Sequence, residues 1–451
     1  MFPPFPQEKA AEILEKLIES LDNGSILLEQ TARPSTERKD QPVMLGALVC
    51  KDSSGNKVNI VTSSGKAKKL KGQNDFQFQF ADSIVSSKEI EDALAENDGK
   101  IHELTFIIDS GQREENELQL LRKERLELCS RSLEKVHSLY QFHCIGGKIR
   151  SLKEICRVFN KGKLPPTGTG DCCAPKLLDY AFSHGFSPIS MAEVPYPPSG
   201  KSKSTLSYLP LATPCDERCG IILPAMLGLK ILYQDNSICV VNKQSGLLSV
   251  PGRGLKKADS VETRFRMLFG DKVEIRQPAV HRLDMETSGL MILAFTKDAH
   301  RNLNRQFEEK RVHKEYIALL DGILQKKGIA PQGQMELFFR LDIDNRPHQI
   351  WDAEKGKSAI TQWEILDVER YKAPDGSVRN ATRVLFTPHT GRTHQLRLAS
   401  ADSHGFGIPI IGDTLYGTCA EGERLMLHAR KISFFHPVSG KEITFECEPD
   451  F

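Results

Sequence analysis

The spacing of apolar residues divides the chain into stretches of different period. Between about Pro42 and Phe106, short alternating runs such as Met44-Leu45-Gly46-Ala47-Leu48-Val49 and Val58-Asn59-Ile60-Val61 are separated by Gly and Ser turn signals, a pattern that predicts strands. From Arg113 to Tyr140 the chain is charged and free of Gly and Pro, with Leu126, Cys129, Leu133, Val136 and Tyr140 three or four positions apart. This predicts an amphipathic helix whose seam packs on its own chain, because the pattern is too short for a coiled coil and sets no oligomeric state. Residues 147–224 are crowded with turn formers, among them Lys163-Leu164-Pro165-Pro166-Thr167-Gly168-Thr169-Gly170 and Tyr196-Pro197-Pro198-Ser199-Gly200. They read as loops around a short helix beginning near Pro175.

Beyond about residue 225 the texture becomes regular. Ile231-Leu232-Tyr233, Ile238-Cys239-Val240-Val241, Met335 to Arg340, Ala359 to Leu366 and Thr382 to Thr387 read as strands, and Asp298 to Arg311 as a helix. The expected class is α+β, with a mostly antiparallel mixed sheet in residues 226–451 and an α/β N-terminal extension containing the long amphipathic helix. The extension divides into a small, partly β module at 1–110, the helical segment at 111–160 and a loop-rich, cysteine-containing connector at 161–225. No internal repeat of 20 to 50 residues is visible, which argues against a solenoid or propeller.

Composition narrows this picture only a little. The chain has 451 residues, 39% of them hydrophobic, enough for two or three cored units. No apolar run approaches the roughly 18 to 20 residues of a membrane span, and Met-Phe-Pro-Pro-Phe-Pro-Gln-Glu-Lys lacks a signal-peptide pattern, so a cytoplasmic location with no membrane partner is expected. Eleven cysteines in a chain this long predict reduced thiols with room for a metal site. The formal charge of +2 neither demands nor excludes a nucleic-acid partner, since phosphate binding depends on where Lys and Arg cluster.

Three clusters offer chemistry. In His281-Arg282-Leu283-Asp284-Met285-Glu286-Thr287-Ser288-Gly289-Leu290, Asp284 sits on a loop that enters the apolar run Leu290-Met291-Ile292-Leu293. Reactive groups are often displayed on such loops, although an isolated Asp there reads more plainly as a turn residue accepting backbone hydrogen bonds. In Thr390-Gly391-Arg392-Thr393-His394-Gln395-Leu396-Arg397, the groups Arg392, His394 and Arg397 follow a glycine turn at the start of a predicted helix. They suit a carboxylate or phosphates, or else form a solvated helix start capped by Thr393. In Lys310 to Leu319, alternation places Val312, Lys314 and Tyr316 on one side of a strand. Tyr316 reads equally as a core aromatic.

In this order, these segments resemble the RluA-type family of RNA pseudouridine synthases. The likeness also includes Val241-Asn242-Lys243-Gln244-Ser245-Gly246-Leu247-Leu248-Ser249-Val250-Pro251-Gly252 and Pro409-Ile410-Ile411-Gly412-Asp413-Thr414-Leu415-Tyr416-Gly417, and spans about residues 229–449. Gln244 departs from the family's usual proline, outside the reactive motifs. The resemblance implies an isomerase of structured RNA, ribosomal or transfer RNA, that breaks the N1 glycosidic bond of uridine and rejoins the sugar to C5 without a cofactor. It makes Asp284 the catalytic aspartate, Arg397 the cation paired with it, Tyr316 the tyrosine stacked on the target base, and Arg282 the residue that fills the space of the flipped nucleotide. Arg392 and His394 join Arg282 as RNA-binding candidates. His281 is expected to be satisfied by backbone, and His394 also to belong to the scaffold holding Arg397. The competing reading is a non-catalytic RNA-binding or ribosome-assembly factor on the same fold.

The N-terminal half has no comparable motif. Gly168-Thr169-Gly170-Asp171-Cys172-Cys173-Ala174-Pro175-Lys176 lacks the spacing of a phosphate-binding loop. Cys172, Cys173, Cys215 and Cys219 offer four thiolates to a structural zinc, although adjacent cysteines are awkward co-ligands and small buried thiols are the plainer outcome. A role in choosing the RNA is expected for residues 1–225.

Overall fold

The computed structural model describes residues 5–30, 43–66, 68–72, 78–110, 112–197, 211–212, 215, 218–253, 259–374, 376–420 and 423–451. Contacts divide the chain into two units, residues 2–228 and 229–451.

In the first unit the elements are α1 (Glu8–Asp22), β1 (Ile26–Gln30), β2 (Val43–Lys51), β3 (Lys57–Ser63), β4 (Lys68–Gly72), β5 (Gln79–Phe80), α2 (Ser87–Ser110), α3 (Glu115–Leu139), β6 (Gln141–His143), β7 (Ile149–Ser151), α4 (Leu152–Phe159), α5 (Cys173–Ser183), β8 (Ser187–Tyr196) and α6 (Cys219–Leu227). A four-stranded sheet runs β5-β3-β2-β8. The apolar stripe of α1, with Ile13, Leu14 and Leu17, packs on Leu45, Ala47, Val49 and Val194 of this sheet. The start of α5 lies close against β2: a Cβ on Gly46 would stand 2.5 Å from the Cys173 Cβ, so only glycine admits the approach.

Several expectations change here. Residues 187–196, read as part of a loop-rich connector, form β8. Its Pro188 and Pro195 are tolerated because β8 ends the sheet order, laddered on β2 with one further bridge, from Glu193 to Ala212, among the described residues. The strand signals expected up to Phe106 give way to α2, whose Asn97-Asp98-Gly99 turn signal is overridden by packing on α3 and by the Asn97 amide donating to Ser132 Oγ at 3.1 Å. On α3 the expected seam holds only at its C-terminal end: Leu133 and Val136 are half-buried and Tyr140 is buried, whereas Leu126 and Cys129 are exposed and Leu118, Ser132 and His137 are buried.

The second unit contains β9 (Lys230–Gln234), β10 (Ile238–Lys243), α7 (Val261–Phe269), β11 (Ser288–Ala294), α8 (Lys297–Glu308), β12 (His313–Leu320), β13 (Gln332–Leu341), β14 (Gln349–Trp351), β15 (Lys357–Lys372), β16 (Val378–Pro388), α9 (Gln395–Ala401), β17 (Leu427–Phe435) and β18 (Glu442–Glu446). The strands build one ten-stranded sheet in the order β14-β13-β15-β16-β12-β17-β11-β10-β9, with β18 also on β17. Pairing is antiparallel except between β11 and β17, which run parallel at Ser288 and Gly289. The unit is α+β with a mostly antiparallel sheet.

Strand β11 positions the site. Leu290 and Ile292 face a cluster with Ala299 and Leu303 of α8, whereas Met291 and Leu293 face Val261 and Phe265 of α7. Burial on both faces explains the uninterrupted apolar run, which a half-exposed strand would interrupt with polar residues. Gly289 has φ +114°, and a Cβ there would lie 2.3 Å from the Ala429 carbonyl oxygen. Glycine is therefore needed where β11 and β17 meet, directly after the Asp284 loop.

Candidate active site

The loop that carries Asp284 is built on a buried amine. Lys243, at the end of β10, is fully buried and its Nζ donates to the carbonyls of Gln244 (3.0 Å), Leu247 (2.8 Å) and Met285 (2.9 Å). All three ammonium hydrogens are thereby used, and the lysine ties the end of β10 to the residue after Asp284. Burial pushes this amine down to about 7, against the opposing pull of the Asp284 charge. Ser249 adds a second tie, donating to the Leu283 carbonyl at 2.6 Å and accepting from Leu283 N at 3.0 Å. The Thr287 N–H closes the turn on the Asp284 carbonyl at 3.2 Å. Among the described residues no donor reaches the Asp284 carboxylate.

Arg397 stands on α9 and is 2% exposed. The family resemblance pairs it with Asp284; the structure gives its fork to a different carboxylate. Its Nε and one terminal nitrogen donate to Asp413 at 2.8 and 2.6 Å, and the same terminal nitrogen meets Glu286 at 2.9 Å. Asp413 is fully buried and also accepts from the Leu415 and Tyr416 N–H groups at 2.9 and 3.0 Å. Burial acts against the Arg397 charge, but Asp413, Glu286 and Asp284 together outweigh it and raise its pKa. Arg397 thus acts on Asp284 through space, while Asp413 holds it in place.

Tyr316 lies on β12, half-buried, beside a bulge in the pairing with β17. Burial and the Asp284 charge both raise its phenol, which stays protonated at neutral pH. His394 was expected on the RNA-contacting face. It is 9% exposed, adopts φ +55° as the residue before α9, and bonds through Nδ1 to the Tyr416 hydroxyl at 2.7 Å. Burial lowers its pKa, with Asp284 acting in the opposite sense. Its position fits a scaffold role inside the site. Thr393 does not cap α9: His394 precedes the helix, and the turn is held by Gln395, which accepts from Arg392 N (3.0 Å) and Thr390 Oγ1 (2.8 Å) and donates to the Ile360 carbonyl (3.0 Å).

Arg392 and Arg282 are both exposed, and Arg392 Nε donates to the Ser358 carbonyl at 2.9 Å. His281 accepts the Ile292 N–H at 3.0 Å through Nε2 and stacks on Phe307, which fixes it as a neutral ring with its proton on Nδ1. The charge of Asp284 is felt by Lys243, Tyr316, His394, Arg397 and Tyr416. One carboxylate is therefore ringed by groups drawn from four separate segments. Lys243, Glu286, Asp413 and Tyr416 were assigned no role from sequence. The available signals were a lysine ending an apolar strand and an aspartate and tyrosine inside the Pro409 to Gly417 motif.

Residues 237–402 match the family model described as RNA pseudouridylate synthase. Over 226 residues, 49% of this chain and 94% of the relative, the chain is 42% identical to the dual-specificity RNA pseudouridine synthase RluA of Haemophilus ducreyi. The chain therefore belongs to the RluA-type family of RNA pseudouridine synthases, and it is an enzyme that isomerises uridine to pseudouridine. The protein of the same name from Escherichia coli (strain K12) is 41% identical over 226 residues, again 49% of this chain and 94% of the relative. Among solved structures, Human RNA Pseudouridylate Synthase Domain Containing 1 matches 49% of this chain and 83% of its own at 28% identity, with a TM-score of 0.38. No helix among the described residues is long and apolar enough to cross a membrane.

Proposed function

We propose that Asp284 is the carboxylate that acts on the target uridine, in ribosomal or transfer RNA and in the cytoplasm. The observation that carries this reading is an aspartate on a rigidly tethered loop, with no hydrogen-bond donor among the described residues on its carboxylate and with Arg397 buried nearby. Attack on the sugar carbon, addition to the base and removal of a sugar proton all require the same ionised carboxylate. Asp413 and Glu286 engage Nε and one terminal nitrogen of the guanidinium, and the Asp284 oxygens, which no donor among the described residues reaches, are left for substrate.

The other roles follow from position. Tyr316 offers a ring for the base to stack against and a neutral hydroxyl. The reaction rotates a base about a broken glycosidic bond, which cannot happen inside a stacked helix. The target must therefore leave the stack, at a cost of a few kcal/mol. Arg282, exposed two residues before Asp284, can stack into the vacated space and recover part of that cost. Arg392 serves the RNA backbone from the other side of the α9 turn. No cofactor is required by this chemistry.

The test is Asp284→Asn, which removes the charge and keeps the shape. Pseudouridine formed in bound RNA is expected to fall to background, while RNA affinity measured by fluorescence anisotropy stays within about threefold, under 1 kcal/mol. Unchanged pseudouridine content would falsify the assignment and favour the non-catalytic RNA-binding alternative.

A further inference from the structure

Three of the four cysteines singled out in the N-terminal half come together. The sulfurs of Cys172, Cys215 and Cys219 all lie within 4.8 Å of one another, and the thiols are within hydrogen-bonding reach in all three pairs. Cys173 is excluded: it is fully buried and its Sγ donates to the Met44 carbonyl at 3.3 Å, under the close contact with Gly46. The adjacency that made a four-thiolate set awkward is thus resolved by the fold, which sends neighbouring thiols in different directions.

The surroundings are built for this convergence. Cys172 is the residue before α5, and Cys219 is the first residue of α6. Both therefore stand at helix N-termini. The Cys215 carbonyl accepts the Gly220 N–H at 3.0 Å, which ties Cys215 to the first turn of α6. Glu193, buried in β8, accepts from Ala174 N in the first turn of α5 at 2.9 Å, while its carbonyl accepts from Ala212 N at 2.8 Å. The start of α5 and Ala212 are thereby tied to the same residue of the sheet.

From this geometry we infer that Cys172, Cys215 and Cys219 form a binding site for a single zinc ion, which staples the start of α5 to the start of α6 within residues 2–228. Three thiolates are a soft donor set that selects zinc over magnesium or calcium. An odd number of mutually close thiols is not consumed by one disulfide. With Cys219 buried and Cys215 exposed, the site lies at the surface, where water can complete a tetrahedron. Binding releases the thiol protons to solvent and changes no oxidation state. The inference stands apart from the catalytic reading and concerns only the first unit.

The experiment uses the full chain, purified under reducing conditions with zinc chloride present and then dialysed against a weak chelator. Mass-spectrometric metal analysis is expected to find about one zinc per chain. Cys215→Ser and Cys219→Ser are expected to fall below about one fifth of that, and Cys173→Ala to keep its zinc. Stripping zinc with a strong chelator is expected to lower the melting temperature of wild type by about 5 °C or more. Cobalt chloride added to the stripped wild-type protein is expected to give the sulfur-to-metal charge-transfer bands and intense visible bands of a tetrahedral thiolate site. This arm remains decisive if the serine variants do not fold. Less than about half an equivalent of zinc, absence of the cobalt bands, zinc retention in Cys215→Ser, or a disulfide joining two of the three cysteines in reduced preparations each overturns the site.

Discussion

Asp413 shows how a buried residue fixes the position of a candidate site residue, Arg397. It is buried, its two oxygens bind the Arg397 fork, and one of them also accepts two backbone N–H groups of residues 415 and 416. Removing it leaves a buried guanidinium with Glu286 as its remaining partner. Asp413→Ala is therefore expected to cost about 3 to 5 kcal/mol in urea unfolding, the range for breaking a buried pair from one side. A loss under about 1 kcal/mol would mean that Arg397 finds another partner or reaches water. The motif made Asp284, Tyr316 and Arg397 legible as a set. It did not show that Arg397 reaches Asp284 only through space, because spacing along a chain says nothing about which of three nearby carboxylates a guanidinium meets.

At the scale of elements, β11 and the loop before it act as one device. The parallel contact with β17 covers Ser288 and Gly289; further along β11, residues 278–281 double back and His281 takes the Ile292 N–H. The burial of His281 pushes its pKa down to about 3, below the ordinary histidine value of 6.5. Between those values the unfolded chain carries the extra proton, so stability is lost as the pH falls from about 6.5 toward 3. Unfolding measured from pH 7.5 to pH 5 is expected to show the advantage of wild type over His281→Gln shrinking with acidity. An unchanging gap would remove this role. Strands β13, β15 and β16 were readable because their alternation coincides with burial, and β10 because it is a short apolar run buried throughout. Helix α1, which carries a clear apolar stripe, was passed over, and α2 and β8 were hidden by turn formers that packing tolerates in a helix hairpin and on a sheet edge.

For the whole molecule, the division between Gly228 and Leu229 separates the reaction from whatever the first unit contributes. The relatives matched over 226 residues are covered to 94% of their own length, so a chain equivalent to the second unit suffices as a complete synthase elsewhere. Residues 229–451 expressed alone are expected to fold and to form pseudouridine, with RNA affinity reduced about tenfold, near 1.4 kcal/mol, and with altered site choice. Sequencing of pseudouridines across total RNA, with full chain and fragment compared, checks this. Modification of the same uridines at unchanged efficiency would assign the first unit a different task. By itself the sequence determined the reaction class and the α+β character, since these reside in contiguous motifs and in apolar period, and it singled out Asp284 as the candidate carboxylate. Only the tertiary structure decided what holds Asp284 and its neighbours: Lys243 beneath the loop, Asp413 on Arg397, and His394 turned inward. It likewise separated Cys173 from the three thiols that converge. The physical reason is the same in each case: a buried charge or thiol is assigned its partner by segments distant in sequence, and one-dimensional spacing carries no record of that distance.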